Sequence, residues 1–341
     1  MVAYALAKEA IQQNKNVLSV LYNGGIQRAH TVGDQIVHCT GTGDLAGGAT
    51  YYDKMFLVDP IALWLTGTKV YIHPDCRVVL PCDVMRNREK EIARGAAKHG
   101  SCGLGIFECC KRSNTQHSIQ IKDFYDQLGL YQKIKQIEKE YPYTLNDGLY
   151  TIDNFMRAVA YVLNNCTIGY LGEITPKFDV MIYEGGQGLL LDQQNMGDFP
   201  HLTPSSVGSY NIHQEINQLG ADNVDVFYVS RSYMTRHGAG PMEEECAKAA
   251  INANIVDKTN MPNEWQGSLR FGFLKTDSLY RRVQGDFRRY NNANLNMVFT
   301  QLNYTNGKLA TGTGTFEEIV KPDFVDGLYL SDQKDVIEKM I

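Results

Sequence analysis

YEGGQGLLLDQQNMGDFPHLTPSS, residues 183–206, follows directly on the apolar run Val180-Met181-Ile182. The apolar residues with Tyr183 read as a buried strand that enters a turn at Glu184-Gly185-Gly186-Gln187-Gly188. Three glycines in four positions free the backbone for positive φ and for close approach to a ligand. Gln187 sits among them with an amide that both donates and accepts. Thr203, Ser205 and Ser206 follow on a second polar loop. A strand end that delivers one Gln and several hydroxyls suits a phosphorylated, oxygen-rich ligand in the crevice of an open sheet. Taken alone, the stretch reads equally well as a strand and a surface turn.

The rest of the chain alternates in the same way. Met1 to Gln13 is helix-like, and Asn16–Tyr22 reads as a buried strand ending at Asn23-Gly24-Gly25. Strands are expected at Gln35–Cys39, Lys54–Val58, Val70–His73, Phe178–Tyr183, Val224–Val229 and Met297–Leu302. Asp59-Pro60 opens a helix. Cys82–Lys98 is a charged, solvent-facing helix, and residues 121–140 and 150–165 are helical. Alternation of this kind predicts an α/β fold, with a mainly parallel central sheet flanked by helices and long inserted excursions. No Pro/Ser linker divides the chain, so residues 1–341 are expected to form one domain. Glycine and polar clusters recur after strand-like runs, at Asn23–Gly25, Gly100–Gly105, Gly185–Gly188 and Thr235–Pro241. A turn explains one such cluster; four point to a ligand crevice at the carboxyl ends of the strands.

Bulk properties narrow the classes. With 341 residues, 43% of them hydrophobic, a substantial core is possible. The net charge of −5 gives no basic field for nucleic acid. No apolar run nears the roughly 18 residues that span a bilayer, so no membrane partner is expected. The eight cysteines show no Cys-x-x-Cys spacing, and no signal-peptide pattern is read. They are expected to be reduced thiols of a cytoplasmic protein.

The order of motifs resembles the adenylosuccinate synthetase family. NGGIQRAHTV (23–32) is similar to that family's GG-x-N-A-G-H-T, and KHGSCGLGI (98–106) to its IGTTG-R-G loop. YEGGQGLLLD (183–192) resembles FEGAQG-x-LLD, FPHLTPSS (199–206) resembles YP-x-V-T-S-S, and YMTRHGAGPMEEE (233–245) resembles Y-x-TRVG-x-GP-x-x-TE. The resemblance runs to about residue 335 and implies a P-loop-NTPase-related fold.

It also implies a chemistry. Such enzymes phosphorylate the 6-oxygen of a purine monophosphate from a nucleoside triphosphate, and the amino group of aspartate then displaces the phosphate. Positioning and charge neutralisation carry phosphoryl transfer of this kind. By resemblance His30 is the electrophile or general acid at the transferring phosphoryl, and Gln187 holds the purine 6-oxygen. Gly25, Ser101, Cys102, Thr203, Arg236, His237 and Arg270 are the substrate-binding candidates. Gln301, Asn303 and Ser331 are those for the triphosphate, and the Ala29 carbonyl is the candidate ligand for Mg²⁺. A homodimer is implied, with Arg112 a candidate to reach the partner's substrate phosphate.

The departures are informative. The family's opening strand and GDEGKGK phosphate loop, with its general-base aspartate, metal ligand and lysine, are not read in the chain. Without that strand the sheet is expected to hold a void and unpaired backbone. Either the protein's start lies upstream of Met1, the reading preferred because the other motifs persist, or this is an inactive purine-nucleotide-binding relative. The guanine-reading T-K-x-D appears as Thr300-Gln301-Leu302-Asn303, and an Asn cannot accept both guanine N–H donors. GTP is therefore not secured as donor. A similar loss occurs in the viral branch that makes 2-aminoadenylosuccinate from dGMP with an adenine triphosphate, and GLYLSDQKDVIEKM (327–340) also resembles that branch. IMP and dGMP both stay open, as do GTP and ATP; a viral protein would act in the host cytoplasm. The arginine-rich aspartate segment is reduced to WQGSLRFGF (265–273), where Arg270 alone remains.

Overall fold

The computed structural model describes residues 1–221, 223–257, 259–262, 264–331 and 338–340. Its first sheet is built around Val17–Leu21, whose five residues are all buried. A strand covered on both faces reads as an unbroken apolar run. It pairs in parallel with Ala49–Tyr52 on one side and Val180–Glu184 on the other. Tyr71–Ile72 and Thr167–Ile168 extend the first flank, giving a five-stranded parallel sheet. The expected strand at Lys54–Val58 is displaced. The chain enters the main sheet earlier, at Ala49–Tyr52, and Leu57–Val58 pairs instead with Arg77–Val78. Tyr51 and Tyr52 make this possible, because their rings are fully buried while their hydroxyls donate to the carbonyls of Gly169 and Cys39.

A second sheet joins Asp225–Arg231, Asn294–Thr300 and Gly327–Leu330 in parallel and adds Glu338–Met340 antiparallel. A small antiparallel sheet of Met234–Arg236, Arg270–Gly272 and Glu245–Cys246 lies beyond it. Gln35–Val37, expected as a strand, forms a hairpin with His30–Val32. Val180–Glu184 ends the first sheet and Asp225–Arg231 ends the second. Both edges border one cleft, where the sequence led us to expect a void. The halves are tied across it by Ser209, whose amide donates to the Asp286 carboxylate and whose hydroxyl donates to the Asp286 carbonyl; Tyr228, on the same side as Asp286, donates to that carboxylate at 2.8 Å.

The helices start where side chains can satisfy their free amides. Asp59 accepts from the Ala62 amide at the start of Pro60–Thr66, and Thr151 from the Asn154 amide at the start of Ile152–Asn165. Helix Val2–Gln12 buries Ala7 and Ala10 against Val17 and Ile182. The largest core lies on the far side, where Tyr52, Phe56, Phe124 and Phe155 pack with Ile152–Asn165. Helix Pro81–Arg94 is not the solvent-facing helix that its charges suggest. Asp83, Asn87 and Glu91 are buried, and the helix stops at Gly95 with φ of 55°. All eight cysteines are free, and no helix among the described residues is long and apolar enough to cross a membrane. Of the 327–340 segment, residues 332–337 lie outside the described residues.

Candidate active site

The cleft encloses about 2220 Å³. Its wall brings together residues that the sequence spreads over 270 positions. His30, Ala29 and Gln187 line it, as do Ser101, Cys102 and Thr203. Arg236, His237, Gln301 and Asn303 line it too.

Gln187 leans over Gly24. Gly24 has φ of 72°, which favours glycine, and a Cβ there would lie 2.8 Å from the Gln187 Nε2 and push that side chain aside. The Gln187 Oε1 is buried without a hydrogen-bond partner, which leaves an acceptor at the cleft wall. The turn itself is fastened by Asn23, whose Oδ1 accepts from the Gly186 amide at 2.9 Å.

His30 belongs to a charged cluster. Arg28 donates from Nη2 to Glu184 Oε2 at 3.0 Å, and the same Nη2 lies 3.0 Å from His30 Nδ1. Glu184 also accepts from the Thr42 amide at 2.8 Å and the Thr42 hydroxyl at 3.2 Å. Burial works against a charged Glu184, but its contacts with His30 and Arg28 outweigh that and hold the carboxyl down at about 2. Burial lowers the His30 pKa; Glu184 pulls the other way and the Arg28 charge adds to the lowering. The net direction is downward, which disfavours the charged imidazolium relative to a free histidine.

The Gly100–Gly105 loop hangs from helix Pro81–Arg94 by three side chains. Asn87 Nδ2 donates to Ser101 Oγ at 3.0 Å, Glu91 accepts from the Gly100 amide at 3.1 Å, and Arg88 donates to the Gly103 carbonyl at 3.0 Å. Burial pushes the Cys102 thiol up to about 11, so it stays protonated and offers a weak S–H rather than a thiolate. Thr203 is placed by its amide, which donates to the Leu191 carbonyl.

Opposite these, Arg236 donates to the carbonyls of His201 at 2.7 Å and Ala239 at 3.3 Å. His237 Nε2 is 3.0 Å from Asn260 Oδ1, while its buried Nδ1 has no partner. Gln301 holds a left-handed φ of 62°, uncommon for a residue with a side chain.

Three expected site residues lie off the cleft wall. Gly25 packs against backbone, and a Cβ there would meet the Leu57 carbonyl at 2.8 Å. Arg270 donates from Nε to Glu245 at 2.8 Å and from Nη1 to the carbonyls of Gly238 and Gly240, so it clamps the 236–241 turn. Ser331 is buried, with its hydroxyl 3.3 Å from the Met1 sulfur. Arg112 is also corrected. It is fully buried, bonded to Asp83 and to the carbonyls of Val78 and His117, and cannot reach a neighbouring protomer. Residues that the sequence reading passed over are Arg28, Glu184, Asn87, Arg88 and Glu91. Arg28 alone carried a signal, since the resembled motif has alanine there.

Among the described residues no group of three His, Cys, Asp or Glu side chains could hold a metal ion. The Ala29 carbonyl alone does not make a magnesium site.

Comparison with known proteins gives a consistent picture. The sequence profile of the adenylosuccinate synthetase family matches residues 62–274, more than half of the chain. The adenylosuccinate synthetase of Proteus mirabilis (strain HI4320) is 26% identical over 254 residues, which is 66% of this chain and 58% of that protein. The chain thus matches less than two thirds of that relative's length. The fully ligated adenylosuccinate synthetase from Plasmodium falciparum superposes with a TM-score of 0.69 at 15% identity, over 98% of this chain and 85% of the other. The succinoaminodeoxyadenylate synthetase of cyanophage S-2L, bound to dGMP and dATP as an energy donor, superposes with a TM-score of 0.58 at 14% identity, over 99% and 91%. At such identities the two structures speak for the fold.

Proposed function

The chain belongs to the adenylosuccinate synthetase family, and from that premise we propose that it joins aspartate to C6 of a purine monophosphate through a 6-phosphoryl intermediate. The observation that carries the reading is the convergence of Gln187, His30 and the Ser101 loop on one cleft, from three separate segments of the chain. In this reading the Gln187 amide holds the purine 6-oxygen. His30 donates a hydrogen bond to the oxygen or phosphoryl that gains charge. Ser101, Cys102 and Thr203 receive the monophosphate. Mg²⁺ carried by the triphosphate would neutralise its charge, since the described side chains do not by themselves make a site for the ion. Either IMP or dGMP is the acceptor. Asn303 in place of the guanine-reading Asp favours an adenine triphosphate as donor.

The test is to incubate the protein with aspartate and Mg²⁺, crossing IMP or dGMP with GTP, ATP or dATP. Phosphate release together with the succinylated nucleotide is expected with one pairing. No release with any pairing defeats the reading.

A second reading, binding without turnover, is favoured by Arg236 and Arg270, whose hydrogen bonds run to their own loops and Glu245. Calorimetry with IMP and dGMP discriminates. Binding without product supports this second reading, and absence of binding defeats both.

A further inference from the structure

We propose that Arg28 is a positioning residue for His30: it holds the imidazole Nδ1 as a hydrogen-bond acceptor, so that the ring carries its proton on Nε2. The catalytic consequence rests on the ligase reading above; the tautomer rests on geometry alone.

A guanidinium has only donors and a carboxylate only acceptors. Arg28 Nη2 stands 3.0 Å from both His30 Nδ1 and Glu184 Oε2, and these two acceptor positions are 3.3 Å apart. A hydrogen on Nδ1 would point into a group that is itself all N–H. With a lone pair on Nδ1, the Nη2 hydrogens serve both neighbours. Glu184 accepts from Arg28 and from both donors of Thr42 whichever tautomer the ring adopts, and the rival contact, Nδ1–H to Glu184 at 3.3 Å, is longer than the 3.0 Å contact with Arg28. The Arg28 and Glu184 side chains are 1% and 2% exposed, so water cannot replace either partner. Arg28 is held at both ends. Its Nη1 donates to the Thr40 carbonyl at 3.2 Å, and its own carbonyl lies 3.0 Å from His38 Nδ1. The hydrogen bond made by one ring nitrogen decides what the other presents. No described residue bonds to Nε2, and the ring lines the cleft beside Gln187. Arg28 therefore turns His30 into a fixed N–H donor aimed at developing negative charge.

The test is ¹⁵N NMR of the full chain labelled at histidine. In the wild type, His30 is expected to show a pyridine-like Nδ1 and a pyrrole-like Nε2. In Arg28→Met the Glu184 carboxylate becomes the one neighbour of Nδ1, and the two signals are expected to exchange character. Arg28→Lys, which keeps a donor, restores the original pattern. Should Arg28→Met fail to fold, the double variant Arg28→Met/Glu184→Gln removes the whole ion pair and is expected to keep Nε2–H. A wild-type ring protonated at Nδ1, or an unchanged pattern in folded Arg28→Met, overturns the proposal. In turnover, Arg28→Met is expected to lower kcat about 100-fold with KM for the purine monophosphate within about threefold. Equal losses in both parameters overturn the positioning role. If the wild type turns over no substrate, the ligase reading fails while the tautomer is still decided by the spectrum.

Discussion

Replacing Asp53 by Asn is expected to change how stability depends on pH. Asp53 directly follows the strand Ala49–Tyr52; its carboxyl is fully buried and faces the Lys54 amide and the Glu215 carboxyl. Glu215, from helix His213–Gln218, accepts from the Tyr183 hydroxyl at 2.9 Å nearby. Burial, with the Asp53 charge adding, pushes Glu215 from 4.5 up to about 7, and burial also raises Asp53. Lys54 and His73 face the pair and only partly offset this. A carboxyl whose pKa is raised on folding keeps its proton where the unfolded chain has lost it. Between about pH 4.5 and 7 the native state therefore binds more protons, and stability falls as pH rises through that window. A displacement of that size corresponds to roughly 3 kcal/mol at about 1.4 kcal/mol per pH unit. Glu215 is partly exposed, and solvent screening brings this to about 1–2 kcal/mol. Asp53→Asn removes the neighbouring charge, so Glu215 ionises closer to its ordinary value. Urea denaturation from pH 4.5 to 8.5 should show the variant more stable than the wild type by about 1 kcal/mol at pH 8, with the difference vanishing towards pH 4.5. Parallel curves, or a gain that grows at acid pH, would refute the reasoning.

Three further outcomes are expected. Arg112→Met leaves the Asp83 carboxylate buried without its cation and should cost about 3–5 kcal/mol in urea denaturation. A cost below about 1 kcal/mol would mean that the pair is solvated. Gly41→Ala should cost about 1–3 kcal/mol by overpacking, because the new Cβ would overlap Ser19 Cβ and lie 2.8 Å from Glu184 Oε1; thermal unfolding checks it. Asn87→Ala unties Ser101 and the Gly105 amide from helix Pro81–Arg94, so purine monophosphate affinity by calorimetry should fall about tenfold while the denaturation midpoint moves little.

The parallel fold was legible because its central strands announce themselves. Val17–Leu21 and Val180–Glu184 are apolar runs ending in glycine clusters, and the site candidates follow those ends. Ala49–Tyr52 was not legible. Two tyrosines and a threonine look half-polar until their hydroxyls find acceptors, Tyr51 at Gly169, Tyr52 at Cys39 and Thr50 at the Asp44 carboxylate. Helix Pro81–Arg94 misled for a related reason. Its Asp83, Asn87 and Glu91 read as solvated charge and polarity, whereas their partners Arg112, Ser101 and Gly100 come from later segments. The Arg28–Glu184 pair joins residues 156 positions apart, and no local pattern could announce it. Function-bearing loops were visible as glycine clusters, but the side chains that hold them were not.

The two sheets end in strands whose outer backbone groups face a shared cleft. An uncovered strand edge is a template on which other chains can nucleate, and soluble proteins usually blunt it with charge, proline or a bulge. Val180-Met181-Ile182 and Val226-Phe227-Tyr228-Val229 carry none of these guards. Their protection is positional: both edges line the cleft, so a foreign strand must enter it before it can pair. The hollow between the two sheets thereby also keeps its own walls from seeding aggregates.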